Sequence, residues 1–353
     1  MSRNGRALRA VLAVVLVTLG AGRAAKAGLS INVVPGPGLL ANPAAMEAFD
    51  RAAAQWETHI TDSITVTINA DLADLGAGSI IGQASSKLLY GEWPGEIREE
   101  MVADAADEVD DGIVALIPIQ SQFTALLPPG ITLAGPLSAT KANLKAMGLA
   151  DLDTLFGVKD GEITFNTRFA FDYDNRDGMG FYTVDFESAA AHEIGHVLGF
   201  VSVVDEIDQM VSQHLTGEVY PRALDVFRFE DDVAGHDPET EQEFTDFPRY
   251  LRPGGEAITD QITLAGDSDA EIPMSTGAYN GDGKQASHWK DGEVVGVMIG
   301  MMDPTLAREE IFVVSDSDLR ALDLIGYDIV VPEPATLVLL GAVVPVLLRR
   351  RRS

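Results

Sequence analysis

Residues 191–200 read Ala191-His192-Glu193-Ile194-Gly195-His196-Val197-Leu198-Gly199-Phe200. Asp185 can cap a helix start ahead of this run and Gly199 can end it, so the spacing predicts a helix over 186–198. On that helix His192 and His196 are four residues apart and project from one face, with Cβ atoms roughly 5–6 Å apart. Two neutral imidazoles so placed can reach one Zn2+ at about 2.0–2.1 Å. Glu193 sits beside the first of them and can contact a water on that metal without being a ligand. The plainer reading is a pair of solvated surface histidines, or core histidines bonded to backbone. A catalytic zinc takes three protein ligands and leaves a fourth position open, so a third ligand must come from elsewhere in the chain.

The chain has no cysteine among its 353 residues. That excludes thiol catalysis, disulfides, cysteine-ligated zinc and latency through a propeptide cysteine. Any metal must be held by His, Asp or Glu. Four further histidines are available: His59, His214, His236 and His288. His59 ends a predicted helix and reads as structural. His214 lies in a polar stretch without a partner motif, and His236 lies in an acidic loop.

Gly199 extends the run to H-E-x-x-H-x-x-G, which resembles the metzincin clan of zinc peptidases. In most of that clan a histidine follows the glycine by three residues. Here that position is Ser202, a poor zinc ligand, and the nearest acid, Asp205, is three residues further on. A distal ligand is therefore needed. His288 stands in Ala286-Ser287-His288-Trp289, followed by Met298, Met301 and Met302-Asp303-Pro304, then Val314-Ser315-Asp316, then Leu324-Ile325-Gly326-Tyr327. This order of blocks, over roughly 185–328, resembles the leishmanolysin family: H-E-x-x-H-x-x-G-F, a long insert, His-Trp, a Met-Pro turn, and a terminal helix ending near Gly-Tyr. The resemblance implies His288 as third ligand and Met302 as the Met-turn methionine beneath the zinc. Met301 and Met298 are alternatives, with Met302 favoured by the Asp303-Pro304 that follows. From about residue 44 to the motif the match is only to a generic zincin lobe. The missing cysteine framework departs from the family, so the nearer analogue is a bacterial, leishmanolysin-like exported metallopeptidase.

Both ends read as addresses. Arg3, Arg6 and Arg9 precede an apolar run at 10–21 and the small-x-small site Ala25-Lys26-Ala27, the layout of a secretory signal peptide over 1–27. An uncleaved anchor is the alternative. The tail, 331–353, reads Val331-Pro332-Glu333-Pro334, then an uncharged stretch at 335–348, then Arg349–Arg352. It resembles the bacterial PEP-CTERM sorting signal, which implies removal by a membrane sorting enzyme as a partner; a plain transmembrane tail anchor is the alternative. Either way the body is expected outside the cytoplasm, secreted or in the cell-surface matrix. Without its basic ends, the body at 28–332 holds 16 Lys+Arg against 53 Asp+Glu. Such a surface repels phosphate backbones, so no nucleic-acid partner is expected.

Along the body, 44–60 and 95–108 are predicted helices, and 64–70, 112–119 and 162–171 predicted strands. Residues 201–287 read as a loop-rich insert with an occasional strand such as 223–229. At 313–328, Ser315 and Asp318 make a capping-box-like start and Gly326 a stop. The expected fold is α+β and zincin-like. An N-terminal lobe, 28–200, would carry a mixed sheet and the motif helix. A C-terminal lobe, 201–330, would carry the insert, the third ligand, the Met-turn and the terminal helix. The run Asp172-Tyr173-Asp174-Asn175-Arg176-Asp177-Gly178 is either a Ca2+ site or an acid-rich β-turn, since Arg176 breaks the EF-hand pattern.

These readings converge on an exported zinc endopeptidase. Glu193 would act as general base on the zinc-bound water, and the substrate would be a protein or peptide laid along a sheet edge. No Tyr just after Met302 offers a second donor to the developing oxyanion. The alternative is a non-catalytic surface or biofilm-matrix protein on the same fold.

Overall fold

The computed structural model describes residues 28–330 apart from 92–96, 108–111, 231–237, 239, 255–258 and 262–271. The signal-peptide and sorting-tail readings, and His236, lie outside the described residues. Among those described, no helix is long and apolar enough to cross a membrane.

The first half of the chain builds a four-stranded sheet. Its order is β1 (Ser30–Pro35), β2 (Thr65–Ala73), β4 (Lys159–Asn166) and, at the edge, β3 (Gly82–Ser86). β1, β2 and β4 are parallel; β3 joins antiparallel, giving a mixed sheet. Two helices pack together on it: α1 (Pro43–Glu57) and α3 (Phe186–Leu198). α1 buries Ala45, Ala48, Phe49, Ala52, Ala53 and Trp56 at helical spacing, and Asn42 caps its start. Trp56 also donates its indole N–H to the Ala191 carbonyl at 2.9 Å, which locks the two helices in register.

Several expectations are corrected. The apolar run at 112–119 is not a strand. It makes a 3-10 turn at Val114–Leu116 and runs straight into Pro118. Val114 and Ile117, three apart, are the buried pair, and short apolar runs do not by themselves distinguish a strand from a helical turn. The strand expected at 162–171 begins earlier and ends at Asn166, whose side chain folds back onto the carbonyls of Gly76 and Ile80. The helix expected at 95–108 is α2 (Ile97–Asp104) followed by a 3-10 turn. Residues 223–229 are mostly a 3-10 turn, Leu224–Phe227, ahead of a short strand, Arg228–Glu230.

The insert is more ordered than expected. It opens with α4 (Val204–Ser212), which buries Val204 and Ile207. Its short strands form a five-stranded sheet that takes Ala125–Leu126 from the first half as its edge. Gly217–Val219 likewise pairs with Ile131–Leu133. The boundary expected at residue 200 is thus crossed by strand pairing. The chain closes with α5 (Asp316–Asp323), whose Ser315–Asp318 capping box is fully formed. The chain then returns to the segment between α1 and β2, where Ile329 bridges Ile60. The architecture is α+β with mixed sheets and no barrel among the described residues.

Candidate metal centre

α3 starts where the sequence places it. Asp185 accepts the Ser188 N–H at 3.0 Å as N-cap, and Gly199, at φ +142°, ends the helix in a conformation that side chains other than hydrogen rarely tolerate. The final turn is anchored from outside. Tyr327 and Thr140 donate hydroxyl hydrogen bonds to the Leu198 carbonyl at 2.7 and 3.2 Å. Ser86, on edge strand β3, donates to the His196 carbonyl at 2.8 Å. The helix therefore holds its histidine-bearing face in fixed relation to the sheet edge.

On that face the structure brings together His192, His196 and His288. His288 Nε2 lies 3.0 Å from His192 Nε2 and 3.2 Å from His196 Nε2. The other ring nitrogens all meet backbone carbonyls: His192 Nδ1 at Met301 (2.8 Å), His196 Nδ1 at Phe200 (2.8 Å) and His288 Nδ1 at Gln285 (3.1 Å). A carbonyl can only accept, so each Nδ1 carries the proton and each Nε2 presents a lone pair. Burial drives all three imidazoles towards the neutral form, His196 down to about 3. Three convergent lone pairs with no proton between them are a donor set for a cation. Among the described residues this is the only group of three or more His, Asp or Glu arranged so that it could hold a metal ion.

Comparison of the chain with protein-family models, with curated proteins and with solved structures finds no match.

Glu193 is buried beside this cluster. No described group hydrogen-bonds its carboxylate, and desolvation pushes it up to about 8. Its Oε1 reaches towards β3, where a methyl group at Gly82 would lie 2.8 Å away. Both line a cleft of about 1150 Å3 together with the three histidines and the edge strand. Met302 is fully buried against α3 at Gly195. A methyl at Gly195 would sit 2.4 Å from its sulfur, so it is the glycine that lets the methionine pack directly under the helix. Met301 contributes its carbonyl to His192, and Met298 is partly exposed.

The other candidates fall elsewhere. His214 is exposed, with a positive φ of 56°. His59 lies just past the end of α1 and accepts the Val330 N–H on its carbonyl. In the acidic run, Asp172 accepts the Asp174 and Gly180 amides, and Asp174 pairs with Arg176. The run is a self-bonded turn, and its carboxylates form no metal-holding group.

Sequence reasoning missed the residues that support the cluster. Ser202 gives its hydroxyl to Asp225 at 2.6 Å. Asp205 accepts the Ala286 and Ser287 amides at 2.5 and 3.0 Å. Asp318 accepts the Met301 and Met302 amides and the Trp289 indole at 2.6, 3.1 and 2.8 Å. Only Asp318 carried a sequence signal, as the closing residue of a capping box.

Proposed function

We propose that this chain is a zinc-dependent endopeptidase of zincin-like fold, exported from the cell, acting on protein or peptide substrates. The observation that carries the reading is the convergence of three Nε2 lone pairs beside a desolvated carboxylate in an open cleft.

The donor set fits the ion. In an ideal tetrahedral zinc site with bonds of about 2.0–2.1 Å, neighbouring donors stand about 3.3 Å apart. The separations of 3.0 and 3.2 Å are close to that value. They are also too short to be comfortable for neutral rings that both present lone pairs. Neutral imidazole is the ligating form, and the three Nδ1–H···O=C bonds hold each ring in the required tautomer. His192, His196 and His288 would hold the ion. Zinc bound there supplies a Lewis acid that acidifies water and polarises a carbonyl.

The chain's own groups do the remainder. Glu193, with no competing hydrogen bond, takes a proton from the attacking water and later returns it to the leaving amine. The burial that raises its proton affinity favours the step in which it holds the proton. Among the described residues β3 pairs on one side only, and its residues line the cleft, so an extended substrate can add there as a further strand. Substrate pairing along β3 also covers the cleft and limits bulk water around Glu193.

The test is casein cleavage by the purified chain, with a chelator and then with zinc restored. Loss and recovery of cleavage are expected. A zinc-loaded chain that cleaves nothing would favour the non-catalytic surface-protein reading.

A further inference from the structure

His288 is 92 residues from its nearest partner in the cluster and arrives on an irregular segment, not on a helix. A ligand delivered that way needs a local frame, because freedom in its backbone is lost on each binding event. Two carboxylates and one arginine surround the segment just before it. Asp205, on the first turn of α4, accepts the backbone N–H groups of Ala286 and Ser287 and also the Ser287 hydroxyl. The Ser287 oxygen in turn accepts the backbone N–H of Ser202 at 2.8 Å. Arg228, buried, donates to the Ala286 carbonyl at 3.0 Å and to the Ser275 carbonyl at 2.5 Å. Ala286 is thus held at both its N–H and its C=O. Asp225 closes the lattice, accepting Ser202 Oγ and the amides of Val203 and Arg222.

All of these donors and acceptors lie between α3 and the third histidine. The chain leaving α3, at Ser202, is joined through one serine oxygen to the residue immediately before His288. Asp205 is not one of the grouped donors; its two oxygens accept from Ala286 and Ser287.

We propose that Asp205, acting through Ser287, is the positioning residue of His288, and that this polar lattice presets the third imidazole against the two helical ones. The inference rests on the metal-centre reading above. Asp205 and Ser287 line the cleft, but none of the lattice groups is among the three convergent donors. The effect of the lattice is to shorten the path from the metal-free to the ligating arrangement, so it sets affinity for the ion.

The experiment is a Co2+ titration of the full chain, followed by the visible absorption of tetrahedral cobalt, on wild type, Asp205→Ala, Ser287→Ala, Ser287→Thr and His288→Ala. Thermal unfolding of each is recorded in chelator. Asp205→Ala and Ser287→Ala are expected to weaken Co2+ binding about 10–100-fold, and His288→Ala to abolish the tetrahedral band. Ser287→Thr keeps the hydroxyl and restores the wild-type affinity. Wild-type affinity in folded Asp205→Ala and Ser287→Ala overturns the proposal while leaving the metal centre standing. So does a lowered unfolding midpoint in chelator with unchanged affinity, the signature of a purely structural role. Should Asp205→Ala not fold, the Ser287 pair decides. A wild-type chain that takes up no Co2+ overturns the metal centre, and this inference with it.

Discussion

His192 and His288 hold their rings nearly parallel, with centroids 5.0 Å apart and planes 18° from parallel, and bring their Nε2 atoms within 3.0 Å of each other. His196 meets both edge-on. Neutral rings do not choose that arrangement for their own sake, since two lone pairs repel. What holds it is backbone: three carbonyls behind three Nδ1–H groups, from Met301, Phe200 and Gln285.

The first prediction concerns the third ligand. His288→Ala removes one of three donors, and bound zinc is expected to fall by more than the roughly 10–100-fold typical of losing an outer partner. His214→Ala, on an exposed turn, is expected to leave zinc content unchanged. Metal analysis after dialysis checks both; equal zinc in the two variants would remove His288 from the donor set.

Glu193→Gln separates binding from turnover. Gln keeps the shape of the side chain but cannot take a proton, and Glu193 is not one of the grouped donors. Zinc content should stay at the wild-type level, while casein cleavage falls by about 10^2–10^4, the usual contribution of a general base. Activity within a few-fold of wild type would exclude Glu193 from the proton transfer.

The difference between what could and could not be read in advance lies in range. His192 and His196 were legible because a four-residue spacing on a capped helix dictates a common face, whatever surrounds it. Ser315 and Asp318 were legible for the same reason: a capping box is closed within one turn. Even α4 had a readable spacing in Val204, Ile207 and Val211, masked by the acids between them. Asp205 was different. Its partners, Ala286 and Ser287, are 81 and 82 residues away, and nothing local distinguishes it from the many other acids of this chain. His288 was reachable only through an ordered set of blocks resembling a known family, because composition and spacing favour none of the four distal histidines. At 112–119 the apolar run predicts a strand, and Pro118 with the packing of buried Val114 and Ile117 makes it a turn instead.

A pH prediction follows from Asp62. It is buried next to the returning C-terminal segment, where it accepts the Asp328 N–H at 2.9 Å. Desolvation, reinforced by the Asp328 carboxylate, raises it from 3.8 to about 7. The unfolded chain releases that proton near pH 4 and the folded chain near pH 7, so the folded state binds more protons between them. Stability from this group is therefore complete below pH 4 and is lost as pH rises towards 7. Asp62→Asn keeps an acceptor for Asp328 and removes the charge. It should match wild type in urea unfolding near pH 4 and exceed it at pH 8 by on the order of a few kcal/mol. A gap that does not change with pH would show that Asp62 does not titrate this way.

The last prediction tests the packing beneath the cluster. Gly195 lies between the two helical histidines, and a methyl group there would stand 2.4 Å from Met302 Sδ and 3.2 Å from the Trp56 ring. Both neighbours are buried, and the Trp56 indole is tied to the Ala191 carbonyl, so only Met302 has freedom to give way. Gly195→Ala should destabilise the fold by about 1–3 kcal/mol through overpacking, despite the better helix propensity of alanine. Met302→Ala alone should cost about 2–5 kcal/mol as a cavity. Because the new methyl occupies the space the sulfur leaves, the double variant should cost less than the sum of the two, and a double-mutant cycle on urea unfolding measures that coupling. Additive losses would mean that Met302 does not press on the helix at Gly195.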